Sequence, residues 1–206
     1  MPKTNVYIDG FNLYYGAVKG TPYRWLDLSA LCHHMLPNDD IRAIKYFTAK
    51  VNARPHDPQQ PMRQQVYLRA LRTLPDVTIV FGHFSTHSVP MTLTGSNPPQ
   101  RVWVDKTEEK GSDVNLAAHL LHDAFKKLFD VAVVISNDSD LMEPIKIVRQ
   151  DLGFPVGILN PHQHHSCALK PQASFMKRIR QADVAACQFA SPIVDKNGSF
   201  HKPPTW

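Results

Sequence analysis

Short apolar runs of β character, each followed by a helical pattern, constrain this chain more than any other feature. Val6-Tyr7-Ile8 ends on Asp9 and turns at Gly10, and the wholly apolar Val131–Ile135 leads into Ser136-Asn137-Asp138-Ser139-Asp140. Strands alternating with helices are the pattern of an α/β fold, three αβα layers around a mainly parallel sheet. Ligands of such sheets bind outside the carboxyl ends of the strands. Asp9 and Asp138, with Asp140 beside them, are therefore expected to gather at one sheet edge. Crowded carboxylates raise each other's pKa unless a cation sits among them. Hard oxygen donors of this kind suit Mg²⁺ or Mn²⁺.

Periodicity predicts further strands over 41–49, 77–84 and 155–159, and a short one over 101–105. Helices are expected over 11–18, 26–35, 64–74, 112–129 and 140–151. The stretch 51–61 reads as a loop, and 85–100, polar and carrying Pro90, Gly95, Pro98 and Pro99, reads as a long functional or mobile loop. One PIN-like domain over 1–190 is expected, with its core at about 4–160, a C-terminal helical part at about 166–190, and an extended tail over 191–206.

The 206 residues with 43% hydrophobic content suffice for one three-layer core. Three cysteines without C-x-x-C spacing argue against a disulfide framework or a structural zinc site, and the cytoplasm is the expected compartment. No apolar run approaches the roughly 20 residues that span a bilayer, and the early first strand leaves no room for a signal peptide. A net charge of +5 beside an acidic pocket suggests a polyanionic partner, although many metabolic enzymes are equally basic.

Each acid has two readings. Asp9 stands where an N-cap for the helix from Phe11 is needed, and Asn12 can share that role. Asp140 with Glu143 forms a capping-box spacing, which leaves Asp138 without a structural task and favours it as a site residue. Ser136 and Asn137 either orient water or phosphate, or finish the turn. Asp113 heads the stripe Asp113, Ala117, Leu120, Ala124 and Leu128 on the clearest helix. An acid there is also favoured by the helix dipole.

Taken together, V-Y-I-D-G-F-N-L-Y, K-G-S-D-V-N-L-A, V-V-I-S-N-D-S-D-L and G-F-P-V-G-I-L, in that order, resemble the NYN domain family, the LabA-like branch of the PIN-domain-like nucleases. The resemblance covers about residues 4–160. It implies a parallel sheet flanked by helices and a metal-dependent nuclease that usually acts on RNA. It also implies Asp9, Asn12, Asp113, Asp138 and Asp140 as site residues. His119 departs from the family pattern, which often has a second acid there, so the resemblance leaves one metal ion or two open.

The expected chemistry is phosphodiester hydrolysis, with Asp9, Asp113 and Asp138 as ligands of Mg²⁺ or Mn²⁺, Asp140 as outer ligand or base, and Asn12 orienting water or substrate. Lys110 either pairs with a phosphate oxygen or is a solvated lysine. The run His162–His165 is expected on a surface loop near the same edge rather than in a transition-metal site. Tyr14, Tyr15, Tyr23 and Trp25 are candidates for base stacking or for the core. Arg54, Arg63, Lys170, Lys177, Arg178 and Arg180 either track phosphates or form a solvated face. Two other readings remain: a catalytically weak or inactive RNA-binding or adaptor protein with the same fold, and a phosphohydrolase attacking through Asp9; under any of them the protein is a candidate homodimer. The phosphohydrolase is disfavoured because D-G-F replaces the D-x-D it needs.

Overall fold

The structure, a computed structural model, describes residues 1–206. Its first half runs through β1 (Lys3–Asp9), α1 (Gly10–Leu13), α2 (Leu28–Met35), β2 (Asp40–Thr48), α3 (Gln60–Leu71), β3 (Val77–Phe81), β4 (His83–Thr92) and β5 (Arg101–Lys110). The second half comprises α4 (Ser112–Phe125), β6 (Val131–Ile135), α5 (Met142–Lys146), β7 (Val156–Asn160), β8 (Phe175–Arg178), α6 (Gln181–Ala186), β9 (Ile193–Asp195) and β10 (Gly198–Phe200). No helix is long and apolar enough to cross a membrane.

Six strands in the order β3-β2-β1-β6-β7-β8 form one parallel sheet. Strand alternation divides the core. Val6, Ile8, Val133 and Ile135 pack with Leu28, Leu31, Leu68 and Leu71 on the α2–α3 side. Tyr7, Phe47, Ala132 and Val134 pack with Leu116, Leu120, Ile145 and Val148 on the α4–α5 side. This is the expected three-layer α/β fold.

The direction of winding reverses between β1 and β6, which creates a crevice at their carboxyl ends. Ile8 pairs with Tyr46 of β2 and with Ile135 of β6, so the three strands end level. Gly10 makes this close approach possible: a Cβ there would lie 2.7 Å from the Phe47 carbonyl oxygen.

Several segments differ from expectation. Only 93–100 of the stretch 85–100 is a loop: residues 85–92 belong to β4, which pairs with β5 in an antiparallel hairpin of ten residue pairs, from His83↔Lys110 to Thr92↔Arg101. β4 is rich in Ser, Thr and His and gives little apolar signal, whereas β5 carries Val102-Trp103-Val104 and contains the short strand expected over 101–105; the ribbon buries almost nothing. Pro90 fits because a two-stranded ribbon consists only of edges. Helix α3 starts at Gln60 with Pro61 in its first turn, where proline lacks no needed hydrogen bond. The part over 166–190 contains a strand, β8, which closes the sheet beside β7. The tail over 191–206 folds into the β9–β10 hairpin. Arg69 pins it through paired bonds to Asp195 at 2.6 and 2.7 Å, and Trp206 packs 6.4 Å from buried Trp25.

Candidate metal centre

Asp9 is the last residue of β1 and caps α1, accepting the Asn12 N–H at 2.9 Å. The hydroxyl of fully buried Ser136 donates to the other Asp9 oxygen at 2.9 Å and accepts the Asp138 N–H at 3.0 Å. Ser136 thus ties the end of β1 to the end of β6. Asp138 caps the short turn Ser139–Leu141, accepting the Asp140 N–H at 3.0 Å. Asp113 enters from the first turn of α4. Gly111 precedes that helix with φ of 93°, a conformation that lets the chain leave the hairpin and turn into α4.

These elements bring one carboxylate oxygen each from Asp9, Asp113 and Asp138 to within 4.8 Å of one another. Burial raises the Asp113 pKa to about 6, reinforced by the charges of Asp9 and Asp138 and by Glu109 and Asp140. Burial also raises Asp9, against hydrogen bonds from Asn12 and Ser136 that lower it. Three hard oxygen donors that destabilise one another's charge are the donor set a divalent cation relieves. No residue of the run His162–His165 belongs to this three-acid group.

The other expected residues take distinct places. Asp140 is exposed at the rim and outside the three-acid group. The capping roles are reversed: Asp138 caps, and the Asp140–Glu143 box does not form at this turn. Ser136 is buried, and Asn137 is occupied, donating to the His164 carbonyl and accepting from the Ser166 N–H. Asn12 Oδ1 accepts the Asn137 N–H at 2.9 Å and lies 3.0 Å from His162 Nε2, stitching the two acidic turns to the histidine loop. Lys110 pairs with Glu108 at 3.3 Å on the hairpin. Trp25 belongs to the aromatic core, and Lys177 donates to the Met35 carbonyl. His119 stands outside the acid group, 3.4 Å from Lys45.

A cavity of about 510 Å³ opens beside the acids. Asp9, Asn12, Asp113, Asp138 and His162 line it, together with Tyr14, Tyr15, Arg54 and Arg63. Sequence reading did not single out three further lining residues, Arg24, Glu109 and Trp206. Glu109 binds both the N–H and the hydroxyl of Ser112 at the start of α4. Its only sequence signal was its position ahead of an acidic helix start.

Residues 3–178 match the NYN domain. The chain belongs to the NYN domain family. This NYN chain is 32% identical over 237 aligned positions to the 6-hydroxy-3-succinoylpyridine 3-monooxygenase HspA of Pseudomonas putida (strain DSM 28022 / S16), covering 99% of this chain and 75% of that protein. Its fold resembles that of VPA0982, a protein of unknown function from Vibrio parahaemolyticus RIMD 2210633. The TM-score is 0.55 at 15% identity, over 97% of this NYN chain and 96% of the other.

Proposed function

We propose that this NYN protein is a metal-dependent ribonuclease that hydrolyses RNA phosphodiester bonds endonucleolytically. The observation that carries this reading is the convergence of Asp9, Asp113 and Asp138 within 4.8 Å at the crevice of the sheet. Their carboxylates hold Mg²⁺ or Mn²⁺, in part through water. When bound, such an ion supplies Lewis acidity toward a phosphodiester and acidifies water. Ser136 fixes the spacing of Asp9 and Asp138, and Asn12 holds the turn that presents them. Asp140, exposed at the rim, serves as an outer ligand or as the base that takes a proton from the attacking water. The net charge of +5 favours RNA as the partner, and the free cysteines suit a cytoplasmic protein.

The cavity favours a second reading, monooxygenation of a small pyridine acid, the activity named for the Pseudomonas relative. Its volume lies within the roughly 300–1,000 Å³ of small-molecule sites.

The test is incubation with labelled single-stranded RNA and Mn²⁺ or Mg²⁺, beside EDTA and Asp138→Asn controls. Cleavage is expected, falling about 100-fold or more in Asp138→Asn and vanishing in EDTA. Cleavage that survives Asp138→Asn rejects this assignment. Oxygen consumption with a reductant and 6-hydroxy-3-succinoylpyridine, without RNA cleavage, establishes the second reading instead.

A further inference from the structure

The cavity contains more than its acids require. Tyr14, Tyr46, Tyr67, Phe84 and Trp206 give it aromatic walls. Arginines also line it: Arg24 from the segment before α2, and Arg54 and Arg63 from the β2–α3 connection and the start of α3. Asp57 engages Arg63 in an ion pair. Arg24 has no such partner, and its Nε is buried without any acceptor. A buried guanidinium N–H left unbonded is costly, and such exceptions in folded proteins call for an explanation. An anion bound to Arg24 supplies one, because guanidinium groups form strong, directional bonds to carboxylate and phosphate.

We propose that this cavity binds a flat aromatic ring bearing an anionic group, with the ring among the tyrosines and Trp206 and the anion on Arg24, assisted by Arg54. Two sources share that chemistry, a nucleotide and a small aromatic carboxylic acid. The arginines and aromatic rings share one cavity with the three acids, and binding of the anion through Arg24 does not require a metal ion. The C-terminal residue completes the wall: Trp206 packs 5.7 Å from Tyr67. Docking of the tail therefore shapes the pocket.

Isothermal titration calorimetry in EDTA tests this, using adenosine 5′-monophosphate, nicotinate and uncharged nicotinamide against the wild type, Arg24→Gln and Arg54→Gln. EDTA removes any contribution from a metal ion. At least one anionic probe is expected to bind, and Arg24→Gln is expected to weaken it about tenfold. Nicotinamide, lacking the anion, is expected to bind weakly and equally to all three proteins. Preference for the monophosphate identifies a nucleotide site, and preference for nicotinate a small-acid site. Failure of both anionic probes at millimolar concentration overturns the proposal. So does anion binding that is unchanged in both arginine variants. Thermal unfolding checks that each variant is folded, and if Arg24→Gln is not, Arg24→Lys and Arg54→Gln decide. RNA cleavage is read separately: cleavage without probe binding removes only this inference, and probe binding without cleavage removes only the nuclease reading.

Discussion

Helix α4 carries two inward acids that the fold treats in opposite ways. Asp123, fully buried, receives the Lys45 ammonium at 2.5 Å and the Tyr7 hydroxyl at 2.7 Å. Burial would raise its pKa, but those two hydrogen bonds, together with the Lys45 charge and a contact from His122, outweigh burial and hold it below the usual carboxylate value. Asp113, about three turns earlier, has only carboxylates for charged neighbours, and its pKa rises to about 6. The first arrangement is a finished ion pair in the wall between helix and sheet. The second is an unfinished one at the crevice. A compensated acid stabilises the fold, whereas an uncompensated one stores electrostatic strain that a cation can relieve.

The largest way to break this contrast is to remove the compensation. Lys45→Met leaves buried Asp123 without its ammonium partner and is expected to cost about 3–5 kcal/mol in urea unfolding. Replacing both partners, Lys45→Met with Asp123→Leu, is expected to recover most of that loss. If the single variant unfolds like the wild type, Asp123 is not held by Lys45.

A smaller effect sharpens the other side. Ser136→Ala deletes the bridge between Asp9 and Asp138 while leaving all three acids in place. Mn²⁺ affinity measured by calorimetry is expected to drop about tenfold. An unchanged affinity would show that the turn backbone alone positions the acids.

The smallest effect is a matter of sign. In the folded protein Asp113 binds its proton up to about pH 6, whereas the ordinary value is 3.8. Between those values the folded state holds more protons, so this group's contribution to stability is present at low pH and is lost as pH rises through about 6. Asp123 works the other way, contributing above the ordinary value and failing as pH falls through its lowered pKa. Asp113→Asn is therefore expected to raise metal-free stability at pH 7 by about 1 kcal/mol, discounted because the group is only half-buried. The gain should shrink as pH falls to 5. A variant that is less stable at pH 7 would mean that Asp113 is not strained.

Where a residue's role follows from local pattern, the sequence showed it. The strand ends after Ile8 and Ile135 locate Asp9 and Asp138, because apolar alternation fixes where a buried strand must stop. Asp123 was not legible in that way: it sits one residue from Ala124 on a helix stripe that reads as apolar, and its partners Tyr7 and Lys45 come from different strands. The β4–β5 hairpin is legible only in part: Val102-Trp103-Val104 marks the strand over 101–105, but β4 is mostly polar and no core face imposes a pattern on the pairing. At the second acidic turn Asp138 caps by accepting the Asp140 N–H, and its own N–H goes to the Ser136 hydroxyl.

The sequence by itself determined the α/β class, the family and the position of the acidic turns, because periodicity and strand-end chemistry are properties of short segments. Only the tertiary structure decided which carboxylates meet, that Asp123 is neutralised while Asp113 is not, and that Arg24 and Trp206 share one cavity with the acids. Those outcomes depend on which strands become neighbours. The winding reversal between β1 and β6 brings the ends of residues 3–9 and 131–135 together, and the returning tail brings residue 206 against residue 67. No local pattern encodes such distances, since charge pairing falls with separation in space and is indifferent to separation along the chain.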